Sequence, residues 1–486
     1  MNLPNPVVSS ALAAGGRLAV VAEDGRLTYD ELHRAVRAAS LTLSAHLNVG
    51  DRVGLWGPPT AAYVVAFHAL FYLGAEVAPL SERGTFDELA AALRTLKPTS
   101  ILVVGPTSEA AERAFAEAGL PVIPLAATVL SGGLSPADAE AIERWWPDDE
   151  PRLCILTSGT TGAPKAVSLS TAQLTFGAMG SALRLGHLPT DRWLGCLPLH
   201  HIGGAMIVFR CALYGTTLEL HPRFDARLVS ERLRSGEVTQ VSLVPPMLEA
   251  LVEAQGGLGG NGALGGPPAH ALLRLVLVGG GPMSTSLRRR CQSLGLPVAT
   301  TWGMTESAAQ VATATPGDVD GILRPLPFVR VTADDDGRLV LRGPQVLHER
   351  LVTSDLGRVH EDGSVTVLGR LDDLIVSGGA KISPSEVEAV LEAHPDVAEC
   401  VVVGLPDDRF GARPLALIVL RDVVESLDVE GLRVFCRQAL TPYKCPDVFL
   451  AVPREAFPRS ALGKLDRPAL IESLPDLLSM LERNCP

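Results

Sequence analysis

Short apolar runs typical of strands take turns with longer helical patterns over most of this 486-residue chain, and that order restricts the fold more than any other feature. Two parallel strands need a crossover connection, which is usually a helix. The predicted strands are 52–56, 100–104, 153–156, 240–244 and 274–278, and the predicted helices are 60–73, 108–118, 171–184, 246–254 and 284–294. The alternation predicts an α/β fold of mostly parallel sheets covered by helices.

A different pattern begins near residue 325. Short strand-like segments at 328–332, 338–342 and 364–368 are separated by Asp-Gly pairs at 336–337 and 362–363. Because Asp-Gly favours the tight turns of antiparallel hairpins, this region is predicted to form a β-rich subdomain.

Beyond Arg370 the chain returns to alternation. The elements predicted there are a helix, two strands and a helix, at 384–393, 399–403, 415–420 and 428–440. We therefore expect a large N-terminal domain at residues 1–371 and a small α+β domain at residues 372–486.

Composition excludes several classes of protein. The formal net charge of −12 at pH 7 is the opposite of what a nucleic-acid-binding face needs. No apolar run reaches the roughly 18 residues of a transmembrane helix, and the first residues lack the basic segment of a signal peptide. The eight cysteines are scattered without a Cys-x-x-Cys pair. That usage is typical of a reducing compartment and predicts a cytoplasmic protein.

Residues 157–165 read TSGTTGAPK and follow the predicted strand 153–156. Glycines let a backbone approach an anion closely, and hydroxyls and amides donate hydrogen bonds to it. Lys165 adds a positive charge, while Pro164 stands where a Walker A loop has glycine. The segment predicts a polyphosphate-binding loop. The alternative, a flexible Ser/Thr/Gly linker, rarely follows a buried strand.

Lysine is scarce in this chain, because only five of its 42 basic residues are lysines and the other 37 are arginines. A lysine ammonium is a compact charge that can point at a single oxygen. Lys165 and Lys464 both lie in glycine-containing segments, so both are predicted to contact phosphate or carboxylate.

Two further segments carry side chains suited to a nucleotide. Residues 300–307, TTWGMTES, place a glycine between Trp302, which suits a flat ring, and Glu306, which suits a metal ion. Mg²⁺ prefers a carboxylate together with substrate phosphates. Taken alone, such a segment is more commonly a core tryptophan beside a solvated glutamate.

Residues 198–204, PLHHIGG, contain two adjacent histidines that cannot share a helix face, and no third ligand lies nearby. A zinc site is therefore not expected. His201, next to small residues, is predicted to line a pocket.

The region around the domain boundary combines a possible sugar site with a flexible strand end. Asp355 could accept hydrogen bonds from two vicinal hydroxyls and Arg370 could reach the same sugar, although each alone would be an ordinary surface charge. Gly378 and Gly379 allow close approach, and Ser383 is predicted to cap the helix that follows.

Taken in this order, the motifs resemble the adenylate-forming enzymes, which include acyl-CoA synthetases, luciferases and the adenylation domains of peptide synthetases. The likeness runs from LTYDEL at 27–32 to GKLDR at 463–467. It implies a large domain that holds ATP and Mg²⁺ and a small domain that rotates between two half-reactions. A carboxylate first attacks the α-phosphate of ATP, and a thiol, here coenzyme A, then displaces AMP.

The resemblance also implies roles for particular residues in nucleotide binding. The phosphate loop would be formed by Thr157, Ser158, Gly159, Thr160, Thr161, Gly162 and Lys165. Trp302 would lie beside the adenine and Thr305 beside the α-phosphate, with Glu306 as the magnesium ligand. Asp355 and Arg370 would bind the ribose.

Other roles implied by the resemblance concern catalysis and domain movement. Lys464 would be the catalytic lysine of adenylation, with Lys165 and His201 beside the reacting groups. Asp372 would be the hinge. Gly378 and Gly379 would line the pantetheine tunnel.

This chain departs from the family pattern at Ala166, Ser354 and Ala380-Lys381, and none of these changes removes a functional group that the chemistry needs. The acid substrate stays open between a keto-dicarboxylate and a fatty or aryl acid. A second carboxylate would find a cation or donors at Arg223, Arg227, Ser307 or Gln310.

Two other readings of the chain are weaker. A peptide-synthetase module would add a carrier domain, and a non-enzymatic adenylate-binding protein would have lost a catalytic group, whereas Lys464 and Glu306 are both present. The sequence leaves the oligomeric state open, a homodimer or larger assembly included.

Overall fold

The computed structural model describes residues 2–3, 5–125, 146–158, 164–256, 272–421, 424, 426–459 and 465–483. Its helices are α1 (Pro6–Ala14), α2 (Tyr29–Leu43), α3 (Ala61–Leu73), α4 (Phe86–Leu96), α5 (Glu109–Ala118), α6 (Thr171–Leu185), α7 (Ile202–Tyr214), α8 (Ala226–Arg234), α9 (Pro245–Gly256), α10 (Thr285–Ser293), α11 (Pro384–Leu391), α12 (Val429–Ala439) and α13 (Arg467–Arg483). Among the described residues, none of these helices is both long and apolar enough to cross a membrane.

The strands of the first half are β1 (Asn2–Leu3), β2 (Leu18–Ala22), β3 (Gly25–Thr28), β4 (Arg52–Trp56), β5 (Glu76–Pro79), β6 (Ser100–Val104), β7 (Val122–Leu125), β8 (Trp146–Pro147), β9 (Pro151–Ser158), β10 (Pro164–Ser170), β11 (Arg192–Gly195), β12 (Thr217–Leu220) and β13 (Gln240–Leu243). Those of the second half are β14 (Leu275–Val278), β15 (Val298–Trp302), β16 (Ala312–Thr313), β17 (Arg324–Pro325), β18 (Arg330–Ala333), β19 (Arg338–Arg342), β20 (Arg350–Val359), β21 (Val365–Arg370), β22 (Ile375–Ser377), β23 (Ala380–Ile382), β24 (Val397–Asp407), β25 (Gly411–Leu420) and β26 (Val448–Ala451).

Two large sheets form the body of the protein. One has six strands in the order β10-β9-β5-β4-β6-β7, and the other has nine in the order β17-β16-β15-β14-β13-β11-β12-β2-β3. The inner strands of both are parallel, and β10, β16, β17 and β3 pair antiparallel at the edges. The predicted α/β class with mostly parallel sheets is therefore confirmed.

Helix α3 fills the space between the two large sheets. Every residue from Ala61 to Leu73 is buried, and the helix contacts strands of both sheets. An apolar sequence on all sides is expected for a helix surrounded by core. Thr60 caps its first turn and Gly74, with φ of 80°, ends it.

The predicted β-rich region forms a sheet of four antiparallel strands, β18 to β21. The turn at Asp336-Gly337 joins β18 to β19, and the turn at Asp362-Gly363 joins β20 to β21. Gly337 and Gly363 both have φ of 79°. Glycine adopts this left-handed conformation without strain, which explains why Asp-Gly marks both hairpins.

The chain from β22 onward forms a separate C-terminal unit. Its sheet contains β22 to β26, with a core of its own around Val402 and Ile418. The predicted cap at Ser383 is only half right, because its hydroxyl donates to the Leu368 carbonyl at 2.6 Å instead of capping α11. The boundary at 371/372 stays a prediction.

The side chain of Glu392, in the C-terminal unit, is expected to make the stability of the protein depend on pH. Burial, reinforced by the nearby carboxylates of Glu388, Glu399 and Glu249, raises the pKa of Glu392 to about 8. A folded-state pKa above the unfolded value means that the folded protein binds this proton more tightly. The stability that this provides is complete below the unfolded pKa and is lost as pH rises through about 8.

Replacing Glu392 by glutamine removes the ionisation, so E392Q should melt above the parent protein at pH 9 and close to it at pH 5. Thermal unfolding across this range measures the difference. The matched control is Glu430→Gln, whose side chain is 73% exposed. A difference for E392Q that stays constant with pH would contradict the assignment.

Candidate active site

The predicted phosphate loop lies within an antiparallel hairpin at the edge of the six-stranded sheet. Thr157 pairs with Lys165 and Ser158 with Pro164 across β9 and β10. The Thr157 hydroxyl donates to the Lys165 carbonyl at 3.3 Å. Gly159, Thr160, Thr161 and Gly162, which are also predicted to bind phosphate, lie outside the described residues.

Lys165 forms an ion pair with the predicted magnesium ligand. Its Nζ lies 2.5 Å from Oε1 of Glu306, although the two residues are 141 positions apart. Glu306 is 15% exposed and Lys165 is 53% exposed, so the pair lies at an opening to solvent. The structure thus brings together a cation suited to phosphate and a carboxylate suited to Mg²⁺.

The segment that carries Glu306 has an unusually constrained backbone. Thr305, Glu306 and Ser307 form a single 3₁₀ turn, and Ala308 and Ala309 follow with φ of 53° and 85°. These are left-handed conformations that cost free energy for alanine. Such strain persists only where the surroundings over-determine the backbone, and it is common at functional sites.

Trp302, Asp355 and Arg370 meet beside this segment. The Trp302 indole donates from Nε1 to Oδ2 of Asp355 at 2.8 Å. Asp355 lies directly across from Arg370 in the β20–β21 pair. Burial raises the pKa of the Asp355 carboxyl, and the Trp302 hydrogen bond and Arg370 oppose the shift. These three predicted nucleotide ligands therefore form one cluster, and Glu306 is close enough to influence the same pKa.

The predicted hinge follows Arg370 directly. Leu371, Asp372 and Asp373 form a 3₁₀ turn, and Nη2 of Arg370 lies 3.5 Å from Oδ2 of Asp372. The turn joins the last strand of the antiparallel sheet to the first strand of the C-terminal unit. The position suits a hinge, and the role of Asp372 stays a prediction.

His201 occupies the N-cap position of α7, and its ring lies 4.3 Å from that of His200. Burial lowers the pKa of His200 to about 4, so this neighbour is neutral at pH 7. A Cβ on Gly204 would lie 2.3 Å from the Pro198 carbonyl oxygen, so only glycine fits where the helix begins. This close packing fixes the backbone at the start of α7, and the His201 side chain there is partly exposed.

Gly378 and Gly379 form the turn between β22 and β23, with φ of 57° and 85°. The Gly378 amide donates to the Phe410 carbonyl at 2.8 Å. This hydrogen bond joins two parts of the C-terminal unit. Lys464 lies outside the described residues. The proposed thiol-tunnel and lysine roles therefore stay predictions.

The sequence analysis missed Arg210, which lies within α7. Its side chain is 2% exposed, and its Nε and Nη2 have no hydrogen-bond partner among the described residues. Burial lowers the pKa of this guanidinium. The sequence feature that could have identified Arg210 is its place as the one charged residue in the otherwise apolar helix IGGAMIVFRCALY.

Arg210 faces the interior beside Trp193 of β11. Met206, four residues earlier and hence on the same helix face, approaches Gly177 of α6, where an added Cβ would also lie 2.9 Å from Cβ of Ala308. The Arg210 guanidinium carbon lies 5.9 Å from the centre of the Trp193 ring, whose Nε1 donates to Ser242 at 3.0 Å. A buried cation therefore lies between α7, α6 and the nine-stranded sheet.

The other four residues considered for a second carboxylate are less suitable. Arg223 and Arg227 are exposed. Ser307 exchanges hydrogen bonds with the Met304 backbone at 3.0 and 3.3 Å, and Gln310 donates to Thr313 at 3.0 Å.

Gly303 is required by the tight turn that precedes Thr305. A Cβ at this position would lie 1.9 Å from the Ala309 carbonyl oxygen. We expect G303A to lower the free energy of unfolding by about 1–3 kcal/mol through overpacking, as measured by urea denaturation. Gly16, where an added Cβ meets nothing within 4 Å, supplies the control variant G16A. Equal free energies of unfolding for the two variants would show that the backbone around Gly303 accommodates a Cβ without loss of stability.

Comparison with known proteins agrees with this geometry. Residues 9–349 match the AMP-binding enzyme family, and residues 386–464 match the AMP-binding enzyme C-terminal domain. The 2-succinylbenzoate–CoA ligase of Geobacillus sp. strain WCH70 is 33% identical over 505 aligned residues, covering 98% of each chain.

Two solved structures of one Bacillus subtilis protein, o-succinylbenzoate CoA synthetase, are similar to this chain at 31% identity, with 97% of this chain and 98% of the other covered. The complex with the acyl-adenylate intermediate OSB-AMP gives a TM-score of 0.82. The double mutant bound to the product analogue OSB-NCoA gives 0.68. The family match over most of the chain, together with the relatives of 31–33% identity, establishes that this protein belongs to the AMP-binding enzyme family.

Proposed function

We propose that this protein is an ATP-dependent 2-succinylbenzoate–CoA ligase, which forms 2-succinylbenzoyl-CoA, AMP and pyrophosphate in menaquinone biosynthesis. The observation that carries the choice of acid is Arg210, a buried guanidinium whose Nε and Nη2 have no acceptor within the part of the chain that the structure describes. Leaving a charge buried and unpaired costs several kcal/mol. A substrate with a second carboxylate would relieve that cost on binding.

The placement of Arg210 supports this assignment. It lies nine residues beyond His201 on α7, a rise of about 13 Å along the axis, and helical side chains tilt toward the N-terminus. The guanidinium is therefore displaced from its Cα toward the end of the helix where His201 lies. In our proposal the succinyl carboxylate reacts near His201, and the ring carboxylate pairs with Arg210. A fatty acid would leave the guanidinium unpaired.

The first half-reaction joins the acid to AMP. A carboxylate oxygen of the acid attacks the α-phosphorus of ATP, the bond to the bridging oxygen breaks, and pyrophosphate leaves. Trp302 lies beside the adenine, Asp355 and Arg370 hold the ribose hydroxyls, and Thr305 donates to the α-phosphate. Donors already aimed at the developing charge lower the barrier.

Lys165 and the rest of its hairpin hold the β- and γ-phosphates, and Lys464 approaches the reacting carboxylate and phosphate. Glu306 fits a magnesium ion, since its carboxylate faces a phosphate-binding lysine at a solvent opening. When bound, Mg²⁺ would neutralise phosphate charge. The ion pair with Glu306 holds Lys165 at the phosphate site until the nucleotide arrives, and the phosphates then replace Glu306 as its partner.

In the second half-reaction the thiol sulfur of coenzyme A attacks the acyl carbon, the bond to the adenylate oxygen breaks, and AMP leaves. Gly378 and Gly379, which lack side chains, let the pantetheine arm pass close to the backbone. We place the reaction in the cytoplasm, where ATP and coenzyme A are available. The seven described cysteines are unpaired and buried, as in reducing compartments.

The experiment compares the wild type with Arg210→Met, using ATP, Mg²⁺, coenzyme A and 2-succinylbenzoate. Wild type should form the thioester with AMP and pyrophosphate. R210M should lose about 10²-fold in kcat/KM because the ring carboxylate loses its partner. Its melting temperature should be unchanged or higher, since an unpaired buried charge has been replaced by an apolar side chain.

Arg152 supplies the matched control. It is equally buried but forms an ion pair with Glu150, so R152M should lower the melting temperature and keep the preference for the dicarboxylate. Absence of acid-dependent pyrophosphate release by wild type would reject the proposed function. Unchanged kcat/KM in R210M would reject the role of Arg210.

A further inference from the structure

Five charged side chains of alternating sign connect the large body of the protein to the C-terminal unit. We call them the charge chain, and they are Arg290, Glu249, Arg454, Glu399 and Arg459. Arg290 Nη1 lies 3.9 Å from Glu249 Oε1, and Arg454 Nη1 lies 3.3 Å from Glu249 Oε2. Arg454 Nε lies 3.9 Å from Glu399 Oε2, and Arg459 contacts the other oxygen of Glu399.

The two ends of the charge chain are anchored in different parts of the fold. Glu249 lies on α9, whose first residue, Pro245, packs 3.8 Å from where a Cβ on Gly281 would lie. Arg459 forms a β-bridge with Leu465, and Lys464 lies between these two residues in sequence. The charge chain therefore connects the carboxyl end of the nine-stranded sheet to the residues that flank Lys464.

The contact of Arg454 with Glu249 is the step of the charge chain that crosses the boundary between the two parts. It lies in a 3₁₀ turn of the C-terminal unit, after β26. Its guanidinium is shared between Glu249 of the large body and Glu399 of its own unit. Losing this one side chain would interrupt the charge chain at the boundary and leave an ion pair on each side, Arg290 with Glu249 and Arg459 with Glu399.

The whole chain superposes better on one of the two Bacillus subtilis structures than on the other. The TM-score is 0.82 with the acyl-adenylate complex and 0.68 with the product-analogue complex of the double mutant, at the same 31% identity and 97% coverage. The charge chain thus exists in an arrangement that resembles the adenylate-bound relative.

We infer that Arg454 is a positioning residue that holds the C-terminal unit in the orientation for the first half-reaction, through its shared contacts with Glu249 and Glu399. This inference rests on the proposed two-step function. The three side chains are 44%, 31% and 21% exposed. An ion pair of this kind shifts an equilibrium by roughly fivefold at most. It biases the orientation without locking it, so rotation for the second step stays accessible.

The test measures the two half-reactions separately in Arg454→Gln. Adenylation is followed by acid-dependent ATP–pyrophosphate exchange without coenzyme A, and thioester formation is followed from pre-made acyl-adenylate. R454Q should slow adenylation roughly two- to fivefold and leave thioester formation unchanged or faster. Raising the ionic strength should bring the wild-type ratio of the two rates toward that of R454Q, because salt screens exposed charges.

Two further variants make the test specific. Glu249→Gln breaks the same contact from the other side and should shift the ratio in the same direction, with the double variant no worse than either single one. Arg324→Gln removes an ion pair of similar exposure, 43% for the arginine, that lies within the large body, and should leave both rates unchanged.

Equal slowing of both half-reactions in R454Q, or no change in either, would overturn the inference. The test is independent of the acid, because the ratio is measured with any acid that the wild type adenylates. Failure with 2-succinylbenzoate alone would count against the proposed substrate, and the rate ratio with an acid that the wild type does adenylate would still decide the role of Arg454.

Discussion

The ion pair between Lys165 and Glu306 is the contact on which the arrangement of the site depends. Lys165 lies on the edge strand of the six-stranded sheet, and Glu306 follows the last parallel strand of the nine-stranded sheet. Their contact therefore closes the junction between the two sheets at the point where the phosphates are expected. Trp302 and Asp355 extend the same junction toward the antiparallel sheet. Three sheets thus each contribute a group to the one cluster where a nucleotide is predicted to bind.

Lys165 and Arg210 differ in burial and in pairing, and each suits a different ligand. At the solvent opening, Lys165 has a carboxylate partner that a nucleotide can replace. In the interior, Arg210 has two donors that find no acceptor among the described side chains and backbone. Since the buried cation is the costlier of the two, it is the stronger constraint on the substrate. An acid that carries a second carboxylate satisfies it, whereas a hydrocarbon chain would leave the cost in place.

Much of the fold was predictable because its signals are local. Alternating apolar runs predicted the parallel sheets, and Asp362-Gly363 predicted a hairpin because its glycine needs a left-handed conformation. Lys165 and Glu306 are 141 positions apart, so no local pattern predicts that they touch. Only the resemblance of both motifs to one family assigned the two residues to the same site. Arg210 was missed because an apolar helix predicts burial, and the sequence does not show whether a buried arginine has a partner. Ser383 does stand at the predicted N-cap position, but its hydroxyl bonds to β21 instead of its own helix, a long-range contact that no local pattern shows.

The most direct test of this account compares two substrates on the unaltered protein. The acid 4-oxo-4-phenylbutanoate is 2-succinylbenzoate without its ring carboxylate, so it retains the reacting carboxylate and loses the partner proposed for Arg210. Acid-dependent pyrophosphate release should give a kcat/KM for 2-succinylbenzoate that is larger by about 10²-fold, because the analogue leaves a buried guanidinium unpaired. Similar values of kcat/KM for the two acids would contradict the claim that a second carboxylate selects the substrate.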